Sequence, residues 1–195
     1  MLGFEEVVDD PSLPRVLLLG DSISIGYTPA VRRELAGRAN VHRVPDNARS
    51  TRESLGKLDE MIVPGPWRVI HFNCGAHDIT RMKEGVVDPE GTVQVPIDEY
   101  ENNLRVLIKR LSETGAQLVW ARTTSIKPYN IRFLEDICAF NVVADRVMAE
   151  AGIPVNDLFT SAQWHLDTLK DKVHFNDEGS AILGAQVAQS IARYL

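Results

Sequence analysis

Val16-Leu17-Leu18-Leu19 is an unbroken apolar run closed by Gly20, the pattern of a strand buried on both faces. Four further runs read as strands: Asn40 to Val44, Trp67 to Phe72, Gln117 to Ala121 and the brief Ile153 to Asn156, which follows the helix stop Gly152. Between them lie segments with helical periodicity, at Pro29 to Ala36, Thr51 to Met61, Ile97 to Glu113, Arg132 to Ala151 and Asp177 to Tyr194. The third is the clearest, with Tyr100, Leu104, Leu107, Ile108 and Leu111 on one face. Asp98 stands in that helix's first turn, and Asp177 is the expected N-cap of the last helix. Strand and helix alternate throughout, which predicts an α/β fold with a parallel sheet covered on both faces.

Sheets of this kind place their sites at the carboxyl ends of the strands. That rule selects Gly20-Asp21-Ser22, Pro45 to Ser50, Asn73 to Asp78 and Arg122 to Ser125. It also selects the connection from Leu158 to Val173, which runs into Asp171 and His174 before the last helix. Beside this edge, Asp88-Pro89-Glu90-Gly91 between Val86-Val87 and Val93-Gln94-Val95 predicts a small hairpin.

A length of 195 residues predicts one domain over 1–195, with 1–14 as an N-terminal extension. A formal charge of −6 argues against nucleic acid as a partner, and no stretch has the length of a membrane span. Met1 to Pro14 is acidic and lacks the basic start and apolar core of a signal peptide. The expectation is a cytoplasmic protein, with secretion after removal of a leader as the alternative. Cys74 and Cys138 have no metal-type spacing and read as reduced, structural thiols.

Ser22, where the first strand ends, has the position of a nucleophile; equally, it has that of a helix cap or, with Ser24 and Thr28, of a phosphate cradle. Asp171 and His174 are three residues apart, so the carboxylate can reach one imidazole nitrogen while the other faces outward. With 14 aspartates and 5 histidines in the chain, that spacing alone is unsurprising; its position before the last helix gives it weight. A serine hydroxyl needs a base to take its proton, and the base needs a carboxylate to hold its tautomer. These three residues are the complete set.

Gly20-Asp21-Ser22-Ile23 after the first strand, Gly75-x-x-Asp78 after the third and Asp171-x-x-His174 before the last helix resemble the SGNH (GDSL-like) hydrolase superfamily over nearly the whole chain, from Val16 to Leu195. The resemblance implies a flavodoxin-like three-layer αβα sandwich with five parallel strands in the order 2-1-3-4-5. It implies serine esterase chemistry without a cofactor or metal, with Ser22 as nucleophile, His174 as general base and acid, and Asp171 orienting His174. Gly-x-Ser-x-Gly, the elbow of the α/β-hydrolases, is not matched.

Two positions depart from the superfamily's pattern. Its second block supplies a glycine whose N–H binds the oxyanion, but Asn47-Ala48-Arg49-Ser50-Thr51 has none. Ala48 is the best positional match, and a slip of one residue gives Arg49. Its third block supplies an Asn side chain where this chain has His77. Neutral histidine keeps one N–H donor, so the expected oxyanion hole is Ser22, Ala48 and His77. Asp21, Arg49, Asp78 and Trp164 are candidate substrate contacts, and Arg49, Arg52 and Arg81 flank the cleft where an acidic substrate group would need a partner. Cys74 as nucleophile and a metal at His71, His77 and Asp78 are the weaker readings. His42 and His165 have no evident partners. The expected substrate is a short-acyl ester, foremost an O-acetyl ester of a carbohydrate or another small polar alcohol. The alternatives are a lysophospholipase- or thioesterase-like hydrolase and a catalytically weak flavodoxin-like protein that binds sugar or phosphate.

Overall fold

The computed structural model describes residues 2–62 and 65–195; Met1 of the N-terminal segment lies outside them. The apolar runs become the strands β1 (Arg15–Leu19), β2 (Asn40–Arg43), β3 (Val69–Phe72), β7 (Gln117–Ala121) and β8 (Val155–Asn156). All pair in parallel, in the order β2-β1-β3-β7-β8, which within this sheet is 2-1-3-4-5. Leu19 pairs with Phe72 and Ala121 with Asn156, so the carboxyl ends of the strands finish along one edge. Val16 to Leu19 are fully buried, as their lack of alternation requires of a strand covered on both faces.

Helices α1 (Ser22–Glu34) and α7 (Asp177–Ile191) pack on each other on one side of the sheet. Gly184 makes that contact close, since a Cβ there would sit 2.5 Å from the Ala30 Cβ. The opposite layer holds α2 (Thr51–Gly56), α4 (Ile97–Ser112) and α5 (Leu134–Glu150). One apolar cluster runs through all three layers, from Val31 and Leu183 across Leu17 and Trp120 to Leu104 and Phe140. This is a three-layer αβα sandwich. Among the described residues no helix is long and apolar enough to cross a membrane.

Several elements differ from expectation. α1 starts seven residues before Pro29, because Ser22, Ser24, Gly26 and Thr28 interrupt the apolar periodicity while the capped start still forms. The expected helix from Thr51 to Met61 breaks at Lys57, after Gly56, into α2 and α3 (Leu58–Met61). Asn176, not Asp177, caps α7, its side chain accepting from the Gly179 N–H at 2.9 Å. The connection after β8 contains a helix, α6 (Leu158–Trp164), capped by Asp157. The small hairpin is also redrawn. β4 (Arg81–Lys83) lies between β5 (Val86–Val87) and β6 (Thr92–Val93) and pairs with both, so Asp88 to Gly91 joins the two outer strands. The N-terminal segment is tied to β2. Asn40 clamps it, accepting from the Asp10 N–H and donating to the carbonyls of Asp10 and Leu13.

Candidate active site

The turn after β1 is built for close approach. A Cβ on Gly20 would lie 2.0 Å from Asn73 Oδ1 and 2.8 Å from the Ser24 Cβ, so only glycine fits between the ends of β1 and β3. Asp21 is buried and caps α1, accepting from the Ile23 N–H at 3.0 Å. The cap is therefore Asp21, which leaves the Ser22 hydroxyl uncommitted to that role. A carboxylate at this helix end also disfavours a bound phosphate there. Ser22 is the first residue of α1, where a backbone N–H has no intrahelical acceptor.

Beneath this turn lies a residue that sequence reasoning did not single out. The buried Arg43 donates from Nη2 to the Gly20 carbonyl at 2.7 Å, and from Nη1 to Ser24 Oγ. Phe4 of the N-terminal segment covers the guanidinium, 5.3 Å from ring centroid to Cζ. Burial lowers the Arg43 pKa to about 10, which still leaves it charged at neutral pH. Its only sequence signal is a charge at the end of a short, partly alternating strand segment.

His174 and Ser22, 152 residues apart in sequence, meet at this edge. Ser22 Oγ lies 2.9 Å from His174 Nε2, and His174 Nδ1 lies 2.8 Å from Asp171 Oδ2. An Nδ1–H tautomer donating to Asp171 leaves Nε2 as acceptor for the serine hydroxyl. Burial would raise the Asp171 pKa. The N–H groups of His174 and Val173, both at 2.7 Å from Oδ1, and the imidazole itself outweigh it and hold the carboxyl at about 2. The arrangement can therefore present an ionised carboxylate, an oriented imidazole and a hydroxyl in line.

The other half of the site departs from expectation. The Ala48 N–H donates to the Gly20 carbonyl at 3.1 Å and is not free to bind an oxyanion. The next residue, Arg49, has φ +52°, the left-handed conformation that glycine adopts without strain. The slipped match is thus the one whose backbone has a glycine's geometry. The Arg49 N–H donates to Asn47 Oδ1 at 2.9 Å, and its side chain pairs with Glu53 at 3.2 Å.

His77 follows Gly75, whose φ of +146° and close approach to Thr123 Oγ1 exclude a side chain. The His77 ring nitrogens make no hydrogen bond among the described residues. Burial lowers the His77 pKa; Asp21 opposes that shift and Arg132 adds to it, so the ring is neutral and keeps one N–H donor. Asp78 is fully buried and accepts from the Thr51 N–H at 3.0 Å and from the Thr51 hydroxyl at 2.5 Å. It ties the loop after β3 to the start of α2, and no oxygen is exposed for a substrate. Burial raises its pKa to about 6 against those hydrogen bonds.

Other candidates fall elsewhere. Trp164 is 79% exposed at the end of α6 and does not line the groove beside Ser22. Arg52 is paired twice with Glu99, at 2.8 and 2.7 Å, and Arg81 with Asp136 at 2.7 Å. The Cys74 thiol is buried, and burial pushes its pKa up, away from a reactive thiolate. His71 is buried in β3 against Asn156, 3.2 Å from Nε2, and burial lowers its pKa to about 3. Among the described residues no three His, Cys, Asp or Glu side chains stand where they could hold a metal. His42 and His165 do have partners, Asp9 at 2.6 Å and the Ser161 carbonyl at 2.8 Å.

No family model and no curated protein matches the chain by sequence. Solved structures do match its fold. An acetyl xylan esterase superposes with a TM-score of 0.75 at 15% identity, covering 91% of this chain and 99% of its own. The lipase/acylhydrolase from Enterococcus faecalis gives 0.73 at 21%, covering 93% and 97%. An acetylxylan esterase from Geobacillus stearothermophilus gives 0.73 at 18%, covering 91% and 94%. The chain has the three-layer fold of these solved esterases and acylhydrolases. Within that fold a groove of about 650 Å³ opens beside Ser22 and His174. Its walls are small or polar where α1 and α7 meet, at Gly26, Ala30, Ser180 and Ala181, and Gly3 of the N-terminal segment closes one side. A second depression of about 500 Å³, largely apolar, is lined by 126–130 and 132–135, at the end of the connection from β7 to α5 and the start of α5.

Proposed function

We propose that this protein is a serine hydrolase of carboxylic esters that works through an acyl-enzyme. The observation that carries the reading is the unbroken hydrogen-bonded line from Asp171 through His174 to Ser22, at the open end of α1. Ser22 Oγ attacks the ester carbonyl as His174 Nε2 takes its proton, and Asp171 stabilises the imidazolium. The alcohol leaves with that proton. Water, deprotonated by the same nitrogen, then attacks the acyl-enzyme and releases the acid. The Ser22 N–H and the His77 ring N–H bind the oxyanion, joined by the Arg49 N–H once it lets go of Asn47.

The preferred substrates are short-acyl esters, foremost O-acetyl groups on carbohydrate or another small polar alcohol. Two of the structural neighbours are acetyl xylan esterases, and small residues, Gly26, Ala30, Ser180 and Ala181, line the groove beside Ser22. A series of p-nitrophenyl esters of rising chain length tests the acyl preference, followed by acetylated xylo-oligosaccharides with Ser22→Ala as control. Rates should be highest for acetate and fall with chain length. A steady rise toward long chains would instead establish a lysophospholipase- or thioesterase-like enzyme.

A further inference from the structure

Arg132 stands between the two halves of the site. Its Nε donates to Thr80 Oγ1 at 2.9 Å, and Thr80 closes the turn that begins at His77, its N–H donating to the His77 carbonyl at 3.0 Å. On the other side, the segment just before Arg132 is tied to the loop that carries Asp171. The Lys127 N–H donates to the Lys172 carbonyl at 3.0 Å, and Lys127 Nζ to the Leu169 carbonyl at 3.3 Å. Arg132 is thus bracketed by the His77 turn and the Asp171–His174 loop. It also lines the second depression, next to Tyr129 and Phe133.

The guanidinium is half-buried, and Nη1 and Nη2 have no hydrogen-bond partner among the described residues. Of the other arginines near this edge, Arg49 pairs with Glu53, Arg52 with Glu99 and Arg81 with Asp136, and Arg43 is buried with its terminal donors on Gly20 and Ser24. Asp21 and Asp171 are within electrostatic reach of Arg132 but form no ion pair with it. Asp21 is spent on the cap of α1, and Asp171 on His174 and two backbone N–H groups. A half-desolvated cation with its paired donors free is poorly compensated by the protein alone.

We propose that Arg132 anchors a carboxylate on the alcohol portion of the ester, so that the substrates are short-acyl esters of hydroxy acids or acidic sugars. Its two terminal nitrogens form the planar fork that matches a carboxylate. The apolar floor beside Tyr129 and Phe133 leaves that pair little competition from water. In a protein with a net charge of −6, an acidic substrate needs such a local cation to be held at all. This deepens the ester-hydrolase reading above and rests on it for turnover, though binding of the acid does not require turnover.

The test compares 4-acetoxyphenylacetate with its primary amide, which differ in charge but little in the leaving phenol. The wild-type protein should favour the acid by about 10- to 100-fold in kcat/KM, mostly through KM, as expected for a charge-assisted bidentate contact. In Arg132→Gln the acid-to-amide ratio should collapse toward one, and Arg132→Lys should restore part of it and serves if the Gln variant does not fold. A wild-type ratio near one overturns the proposal, as does an equal loss on both substrates, which would place Arg132 on the oxyanion. Calorimetric binding of 4-hydroxyphenylacetate to the two forms gives a readout without catalysis. Arg132-dependent binding with neither ester hydrolysed would sink the hydrolase reading and leave the acid anchor standing.

Discussion

Asp171 and Asp78 are the same residue in two regions of the molecule, and they titrate in opposite directions. Asp171 accepts from two backbone N–H groups and the His174 ring, and Asp78 from the N–H and the hydroxyl of Thr51. Asp171 sits on a half-exposed loop, where burial is the largest single influence but the backbone donors and the imidazole together outweigh it and hold the carboxyl at about 2. Asp78 is sealed beneath α2, where the same kind of donors cannot offset desolvation and the carboxyl rises to about 6. Desolvation is the largest influence on both, and the balance between its depth and the donors each carboxyl receives sets the sign. One aspartate is a fixed negative charge suited to holding an imidazolium. The other is a tether between two loops of the site.

The comparison breaks most sharply at Asp171. Asp171→Asn should lower kcat by about 10³–10⁴, because the amide no longer selects the Nδ1–H tautomer, with KM little changed. Steady-state kinetics on p-nitrophenyl acetate checks this, and a loss under tenfold would remove Asp171 from the mechanism. His77, next to the tether, should show an intermediate effect. His77→Ala is expected to lose about 10²–10³ in kcat, while His77→Asn, which keeps a donor, loses much less. Equal small effects from both would remove His77 from the oxyanion hole.

Asp78 should act on stability. Its folded pKa lies above the unfolded one, so the folded state holds the proton to higher pH. The contribution is complete below about pH 4 and is lost as pH rises through about 6. Urea unfolding from pH 4 to 7 should show a falling component on the order of 3 kcal/mol that is absent in Asp78→Asn. Identical pH profiles for the two proteins would contradict the raised pKa. The smallest expected effect is at Arg49, where Arg49→Gly relieves a left-handed residue and should stabilise by about 1 kcal/mol, read from the same denaturation curves. A loss of stability would mean that the Glu53 pair outweighs the strain.

What the sequence made legible follows from which physics is local. The apolar runs at Val16 to Leu19 and Gln117 to Ala121 state both strand identity and burial, because a strand covered on both faces has no polar alternation to confuse it. Alternation with helices then carries the parallel sheet, and the family resemblance carries its order. Ser22, Asp171 and His174 stand where the carboxyl-edge rule puts them. α1 was legible only from Pro29, since Ser22, Ser24, Gly26 and Thr28 erase the apolar periodicity of its first turns. Arg43 and Arg132 were not legible as parts of the site, because a charge in a strand or at a helix start gives no sign of what it faces. Ala48 failed for a related reason. A backbone N–H has no sequence signature, and only the fold shows that it is taken by Gly20 while Arg49 adopts the glycine-like turn.

The account rests on Ser22 as the nucleophile, and a fluorophosphonate probe with mass mapping of the labelled residue tests it most directly. The prediction is a single adduct on Ser22, formed by the wild-type protein, slowed in Asp171→Asn and absent in Ser22→Ala. Labelling that persists in Ser22→Ala, or that maps to another residue in the wild-type protein, would contradict it.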